Sequence, residues 1–294
     1  MQRFTNRVVM VTGAGSGIGR AAAVRIAAEG GSVYCVDISQ AGLDDTVATI
    51  SAAGGEATGQ CCDVSDETQV KDTVAACVAR YGSLYALVNM AGILRFDDTD
   101  AIALDAFQRV IAVNLTGTLL LCREVLPHLM ETRGSIVNAA STAALAGLPC
   151  GAAYSASKGG VLAMTRSIAV EFAKRGVRAN CVCPGDINSG MTTGIEWPPN
   201  MDFELIGRIS SLSGPKDAEV MAGVIAMLAC GAYHRRGQPG RRWHALLMLA
   251  QRPFAGVARY SESLNLTLTS RRSSPRRRVM VTVSPGSCCS IRLR

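Results

Sequence analysis

The stretch VVMVTGAGSGIG, Val8–Gly19, decides the fold. It begins with an unbroken apolar run, which is typical of a β-strand buried on both faces of a sheet. Glycines then alternate with small residues, which indicates a tight turn, and a helical pattern starts near Gly17. A buried strand followed at once by a glycine-rich turn and a helix predicts the first unit of an α/β fold.

The same unit recurs along the first 230 residues. Strand candidates lie at 7–12, 32–37, 56–61, 84–89, 134–140 and 177–183, and helical stretches start near Gly17, Ala41, Asp66, Leu104, Asn114 and Ala152, with one more after Pro215. Strands that alternate with helices pair in parallel through right-handed crossovers. The sequence therefore predicts a doubly wound parallel sheet of the Rossmann type, with helices on both faces, in a single domain over residues 1–230.

The glycine-rich turn predicts a dinucleotide site. Glycines at Gly13, Gly17 and Gly19 let the backbone approach a pyrophosphate, and the N–H groups at the helix start favour its negative charge. Asp37 ends the second strand candidate, 18 residues after Gly19. A carboxylate there can accept hydrogen bonds from an adenosine ribose and repels a 2′-phosphate, so the pattern favours NAD over NADP. The alternative is a purely structural turn with a solvated aspartate.

A second group of polar residues follows the fifth strand candidate. Ser141 comes directly after residues 134–140, and Tyr154 and Lys158 follow on a helical stretch. Four residues apart on a helix, the last two share a face, so the ammonium can lie near the phenol and favour its anion. A tyrosine, whose ordinary pKa is about 10, could then exchange a proton near neutral pH, as alcohol oxidation or carbonyl reduction requires. Taken alone, this spacing indicates only an amphipathic surface pair.

Taken together, these motifs resemble the short-chain dehydrogenase/reductase family, including its NAD-dependent alcohol dehydrogenases and its members similar to 3-oxoacyl-carrier-protein reductases. The resemblance runs from about Arg7 to Cys230 and rests on the glycine turn, Asn89-Met90-Ala91-Gly92, Asn114, Ser141, Tyr154, Lys158 and Pro184-Gly185 in this order. It implies that Tyr154 is the acid/base and that Lys158 lowers its pKa and holds the nicotinamide ribose. It also implies that Ser141 orients the substrate oxygen and that Asn114 supports a water relay to Lys158.

The resemblance further implies the residues that line a cofactor site. They are Gly13, Ser16, Gly17, Ile18, Gly19, Asp37, Asp63, Val64, Asn89, Ala91, Gly92, Tyr154, Lys158, Pro184, Gly185 and Ile187. The expected reaction is hydride transfer between NAD(H) and a secondary alcohol or ketone. The family also leads us to expect a homo-oligomer.

Residues 188–213 fall where the family keeps its substrate loop. The region has too few charges to suggest a strongly anionic substrate. Apolar side chains could line a pocket or could simply pack the loop; they are Leu145, Leu148, Ile195 and Trp197. We expect a substrate on a hydrophobic or cyclic frame.

The chain changes character after Cys230. Residues 231–294 hold 13 of the 30 basic side chains, all of them Arg, and one acid, Glu262, whereas the first 230 residues hold 17 basic and 22 acidic side chains. The family resemblance implies a last strand after the helix that follows Pro215, and no such segment is present. If the codons for Tyr233 to Trp243 are read in the frame that starts one base later, they can encode Ile-Thr-Gly, then Leu, then Val-Val-Asp-Gly. The sequence therefore predicts a frameshifted, poorly ordered basic tail and a sheet that lacks its last strand.

Two other functions remain open at this point. The tail could be a basic arm that binds nucleic acid, although an out-of-frame GC-rich message explains its arginines without that function. Loss of the strand could also leave a catalytically silent NAD-binding or interaction protein.

Cysteine usage bears on the compartment. The 11 cysteines are an odd number without Cys-x-x-Cys pairs, and most lie in apolar runs. This pattern predicts free thiols in a reduced, cytoplasmic compartment and no metal site. We also expect no membrane span, because no apolar run approaches the roughly 20 residues that one needs.

Overall fold

The computed structural model describes residues 1–192, 195–199, 201–210, 214–231 and 246–247. The strands form one parallel sheet in the order β3-β2-β1-β4-β5-β6-β7. They are β1 (Val8–Thr12), β2 (Ser32–Asp37), β3 (Glu56–Cys61), β4 (Ala86–Asn89), β5 (Ser135–Ala139), β6 (Arg178–Val182) and β7 (Leu246–Leu247). The first six match the strand candidates to within two residues, so the predicted fold class is confirmed.

Helices cover both faces of this sheet. They are α1 (Gly17–Ala28), α2 (Gln40–Ala52), α3 (Glu67–Tyr81), α4 (Leu104–Ile111), α5 (Gly117–Thr132), α6 (Ala152–Phe172), α7 (Phe203–Ile209) and α8 (Ala218–Cys230). Side chains of β1 alternate between the two layers: Val9 and Val11 pack in a core with α1 and α8, and Val8 and Met10 in a core with α3 and α5. This period of two is what a strand buried on both faces requires.

The edge beside β6 differs from the prediction of a missing last strand. Leu246 and Leu247 pair in parallel with Cys181 and Val182. The prediction missed this pairing because backbone hydrogen bonds at a sheet edge do not depend on side-chain type, and these residues lie 16 positions beyond Cys230. β7 has two residues, against four to six in the other strands, so it offers β6 a short partner only. The prediction that the domain ends at residue 230, with a poorly ordered tail, falls mostly outside the described residues and stays a prediction.

The two helices expected near Leu104 and Asn114 are one continuous helix. A π-helical turn, Ala112–Thr116, joins α4 to α5. By length and composition alone, this 29-residue helix, Leu104–Thr132, could cross a membrane, contrary to the expectation from the sequence. However, 56% of its most apolar window is buried inside the protein, and Leu121 and Leu129 pack on the sheet. These contacts are those of a core helix.

The C-terminus of α8 is held by side chains from the opposite end of the chain and from the sheet. Arg7 donates to the carbonyl of Cys230 at 3.1 Å, and Arg178 donates to the carbonyls of Leu228 and Ala229 at 2.9 and 3.2 Å. Ser135 Oγ donates to the Ala229 carbonyl at 2.7 Å. Terminal carbonyls of a helix have no partner within it, and cations are favourable there, so this network fixes α8 on the sheet.

Candidate active site

The glycine-rich turn lies against the end of β4. Gly13 has φ +66°, and a Cβ at this position would lie 2.8 Å from the amide nitrogen of Ala91. Thr12 Oγ1 accepts hydrogen bonds from the amides of Met90 and Ala91, both at 3.2 Å. A Cβ on Gly19 would lie 2.0 Å from the Gly13 carbonyl oxygen, so only glycine fits that helix position.

The start of α1 is arranged to accept an anion. Within the described residues, the Ser16 side chain makes no capping hydrogen bond, and the first turn, which includes Ile18, holds no acid. In α3, by contrast, the Asp66 carboxylate accepts from two first-turn amides. The free N–H groups and the helix dipole of α1 therefore suit a pyrophosphate, which the glycines leave room to approach.

Asp37 lies beside this turn at the end of β2. Its Oδ2 accepts from the Gly15 amide and its Oδ1 from the Ser39 amide, both at 2.9 Å. A Cβ on Gly15 would lie 2.9 Å from Oδ2, so the glycine is needed for the carboxylate to reach the loop. The residue after Asp37, Ile38, is exposed. Two backbone donors fix the carboxylate beside the glycine turn, and its contact with a ribose stays a prediction.

Asp63 and Val64 follow β3. Asp63 Oδ1 accepts from the Ser65 amide at 2.9 Å and from its hydroxyl at 2.6 Å, and Arg109 lies 3.3 Å from Oδ2. Burial would raise the pKa of Asp63, but these partners hold it below its usual value. Val64 is buried beside Gly117.

The segment after β4 joins the cofactor side of the site to the catalytic side. The Asn89 Nδ2 donates to Asn138 Oδ1 at 2.9 Å and contacts Cys122 Sγ in the interior, and among the described residues Asn89 Oδ1 is buried without a hydrogen-bond partner. Gly92 lies at the junction: a Cβ there would lie 3.1 Å from Asn114 Oδ1 and 3.3 Å from Lys158 Nζ.

Ser141, Tyr154 and Lys158 converge at the end of β5. All three are buried, with Ser141 and Tyr154 in hydrogen-bond contact. Lys158 Nζ lies 5.7 Å from the centre of the Tyr154 ring and donates to the Ala139 carbonyl at 2.9 Å. The helical spacing of four residues places the ammonium beside the tyrosine ring, at the C-terminal end of β5.

Asn114 lies in the π-helical turn, a feature often found at functional sites. Its Nδ2 donates to the Ile93 carbonyl at 2.9 Å and to Ser157 Oγ at 3.0 Å, and its Oδ1 accepts from the Ile93 amide at 2.8 Å. Ser157 in turn donates to the Tyr154 carbonyl at 2.7 Å. Asn114 therefore ties the segment after β4 to α6, and its role in a water relay stays a prediction.

Burial is the main influence on the pKa values of Tyr154 and Lys158. Burial raises the pKa of its phenol, and the hydrogen bond with Ser141 opposes this only in part. Burial also lowers the pKa of Lys158, to about 8. The lowering of the Tyr154 pKa by Lys158 stays a prediction, since burial is the largest influence on that pKa here and Lys158 Nζ donates to the Ala139 carbonyl.

Pro184, Gly185 and Ile187 follow β6 and border the same space. The Pro184 carbonyl accepts from the Thr142 amide at 2.9 Å, next to Ser141. Ile187 is buried and pairs with Lys216 in an isolated bridge. These contacts place the start of the substrate loop beside the catalytic group.

An aromatic cluster connects residues 188–213, the expected substrate loop, to the segment after β4. The rings of Phe96 and Trp197 are 4.6 Å apart, and those of Trp197 and Phe203 are 5.4 Å apart. Of the other candidate pocket residues, Leu145 is exposed, whereas Leu148 and Ile195 are partly buried. Sequence reasoning missed several residues that build the site, since only their contacts reveal them: Thr12, Gly15, Phe96, Ala139 and Ser157.

Known proteins resemble this chain in sequence and in fold. A family model described as short chain dehydrogenase matches residues 7–198. The chain is 37% identical to 2-(R)-hydroxypropyl-CoM dehydrogenase of Xanthobacter autotrophicus over 79% of this chain and 95% of that protein, and 36% identical to meso-2,3-butanediol dehydrogenase of Serratia marcescens over 77% and 88%. It is similar to the crystal structure of levodione reductase with a TM-score of 0.71 and 34% identity, covering 78% of this chain and 93% of that one. The chain therefore belongs to the short-chain dehydrogenase family and is a nicotinamide-dependent oxidoreductase of the secondary alcohol and ketone class.

Proposed function

We propose that this enzyme uses NAD(H) and that Tyr154 exchanges the proton between a secondary alcohol and its ketone. The observation that carries the proposal is the convergence of Ser141, Tyr154 and Lys158 beside a glycine turn that suits a dinucleotide. NAD, when bound, would supply the acceptor for the hydride of the carbinol carbon.

Each catalytic side chain has a separate role. As the phenol, the form that burial favours by raising its pKa, Tyr154 donates its proton to a ketone oxygen during reduction. As the phenolate, it accepts the alcohol proton during oxidation and returns to the phenol. Lys158, with a pKa of about 8, is largely charged at neutral pH and favours the phenolate when the proton leaves. Ser141 holds the substrate oxygen beside the phenol, and Asn114 positions α6 through Ser157.

Asp37 supports NAD over NADP. Its two oxygens already accept from backbone amides and keep lone pairs for ribose hydroxyls, whereas a 2′-phosphate would meet its negative charge. Arg20, on α1, donates to the carbonyls of Gly15 and Gly42 and lies 3.6 Å from Asp45.

The names of the relatives support the substrate class. They describe enzymes of a hydroxypropyl thioether, a butanediol and levodione, which share a secondary alcohol or ketone. We propose a small molecule of that class for this chain.

We also propose a homo-oligomer in a reduced, cytoplasmic compartment. The family resemblance supports self-association, and Leu119 of α5 and Val170 of α6 are half-exposed apolar side chains. Eight of the cysteines among the described residues are free thiols, which supports a reducing environment; they are Cys35, Cys61, Cys62, Cys77, Cys122, Cys150, Cys181 and Cys183. Gel filtration with light scattering tests the assembly.

Nicotinamide absorbance during turnover of a panel of secondary alcohols and ketones tests the proposal. We expect turnover with NAD(H) and little with NADP(H), and we expect Asp37→Ala to raise KM for NAD while reducing the discrimination. Equal use of both cofactors by the wild type would contradict the assignment of NAD. Tight NAD binding without turnover of any substrate would instead support the catalytically silent alternative.

A further inference from the structure

We infer that Phe96 and Trp197 are specificity-determining residues and that they select uncharged, ring-bearing alcohols and ketones over anionic ones. This inference rests on the proposed function and names the substrate class of the same site.

Phe96 lies in a short segment that is tied to the catalytic group on both sides. At one side, the Ile93 amide donates to Asn114 Oδ1 at 2.8 Å. At the other, the Asp97 amide donates to the carbonyl of Cys150, four residues before Tyr154, at 2.8 Å. Phe96 is therefore held between the π-helical turn and the start of α6, with its side chain buried.

Trp197 brings the substrate loop onto this segment. Its indole is tilted by 33° on the Phe96 ring at 4.6 Å and meets Phe203 edge-on at 5.4 Å. The root of the loop is fixed independently, because the Asn188 amide donates to the Lys216 carbonyl at 2.8 Å and the Lys216 amide donates to the Asp186 carbonyl at 3.0 Å. The loop thus reaches from the segment beside the catalytic group to Phe96, and the indole remains 40% exposed.

These rings offer apolar area and little else to a substrate. Aromatic faces bury large apolar surfaces and stack in offset or edge-on arrangements with other rings. A cyclic frame can use this surface fully, whereas a short acyclic chain covers only part of it. Loss of the indole should therefore lower kcat/KM for cyclic substrates more than kcat/KM for short acyclic ones.

The charges of the segments that follow β4, β5 and β6 disfavour an anionic substrate. In the sequence, residues 90–103, 140–155 and 185–205 contain one basic side chain, Arg95, and seven acidic ones: Asp97, Asp98, Asp100, Asp186, Glu196, Asp202 and Glu204. Arg95 forms an ion pair with Asp97 at 2.8 Å. A carboxylate, phosphate or sulfonate on the substrate would meet this excess of like charge.

Steady-state kinetics of a matched set of ketones tests the inference. In the wild type we expect kcat/KM for 4-methylcyclohexanone to exceed that for 4-oxocyclohexanecarboxylate at least tenfold. Trp197→Ala and Phe96→Ala should each lower kcat/KM for 4-methylcyclohexanone at least tenfold, but that for 2-butanone less than threefold. Trp197→Phe should retain most of the preference for the ring, and Val220→Ala, which removes an exposed apolar side chain on the outer face of α8, serves as the control.

Equal losses of kcat/KM for the cyclic and acyclic ketones would overturn the role of the two rings. Faster turnover of the carboxylate or of 4-aminocyclohexanone than of the neutral ketone would overturn the assigned charge.

If the wild type turns over no ketone, the proposed function fails, and a measurement of ketone binding then tests the inference on its own. The protein has two tryptophans, so a Trp243→Phe variant reports Trp197 alone. Its fluorescence in the presence of NADH should respond to 4-methylcyclohexanone and not to the carboxylate; an equal response, or none to either, would contradict the inference.

Discussion

At the scale of single residues, Lys158 shows how burial and charge oppose each other in this site. The side chain is 3% exposed, and its pKa is lowered to about 8, although its hydrogen bond to the Ala139 carbonyl satisfies one N–H of the ammonium. An ammonium whose pKa lies near the pH of the solution can gain or lose its proton after small changes around it. Loss or gain of a proton on Tyr154 is the change that matters for the reaction.

The lowered pKa of Lys158 predicts a pH dependence of stability. Between about pH 8 and the ordinary lysine pKa of about 10.4, the unfolded chain binds a proton that the folded chain lacks, so stability rises with pH in this window. The wild type should therefore gain free energy of unfolding relative to Lys158→Met, by at most roughly 1.4 kcal/mol per pH unit. Denaturant titrations without NAD from pH 7 to 10 measure this, with exposed Lys174→Met as the control. Parallel curves for the wild type and Lys158→Met would show that Lys158 keeps an ordinary pKa.

At the scale of elements, the turn between β1 and α1 depends on glycines that cannot be replaced. Gly19 is the most restricted, since its missing Cβ faces the Gly13 carbonyl oxygen at 2.0 Å. The same turn carries the first N–H groups of α1 and touches Asp37 through Gly15. Disturbing it should affect folding and cofactor binding together.

We expect Gly19→Ala to lower the free energy of unfolding by several kcal/mol, because the new methyl group must displace backbone atoms, and to weaken NAD binding. Gly223→Ala is the matched control: it lies in α8 with no atom within 4 Å of a new Cβ, so it should stabilise the protein by about 0.5–1 kcal/mol. Thermal melts and NAD titration by fluorescence measure both effects. A Gly19→Ala protein with wild-type stability would contradict the described packing of the turn.

The sequence predicts elements better than it predicts the contacts between them. Apolar runs of the correct length located strands such as β1, β2 and β4, whereas β3, with the sequence Glu-Ala-Thr-Gly-Gln-Cys, is not an apolar run. The spacing of Tyr154 and Lys158 placed them on one face of α6. The interior position of the Asn89 side chain, the raised pKa of Tyr154 and the stacking of Phe96 on Trp197 depend on distant residues. No local pattern carries such information, since it arises only when segments far apart in the chain pack together.

At the scale of the whole molecule, the weak point is the edge of the sheet. β6 has β7 as its neighbour there through two residue pairs, whereas β5 pairs with β6 through five. The network around the end of α8, with Arg7 and Arg178, holds the preceding helix in place independently of that edge. The catalytic group therefore lies on elements whose packing is complete before residue 231, and the frameshift of the tail stays a prediction that the nucleotide sequence around Cys230 would decide.

A full-length last strand should stabilise the molecule. We expect a version whose residues from Tyr233 onward follow the other reading frame to melt at a higher temperature, since a longer strand pairs more of the β6 edge. Each ~1 kcal/mol gained corresponds to roughly 2–4 °C for a protein of this size. Differential scanning calorimetry on the two proteins makes the comparison. Equal melting temperatures would show that the edge beside β6 contributes nothing to stability.

The central claim is that the buried Tyr154 phenol, held by Ser141 and placed beside Lys158, transfers the proton of the reaction. The most direct test is the rate of NAD reduction by a preferred secondary alcohol in the wild type and in Tyr154→Phe, with NAD affinity measured in parallel. We predict that kcat falls by about 10²- to 10⁴-fold, the usual contribution of general acid–base catalysis, while the Kd for NAD changes little. Undiminished dehydrogenation by a folded, NAD-binding Tyr154→Phe protein would contradict the account.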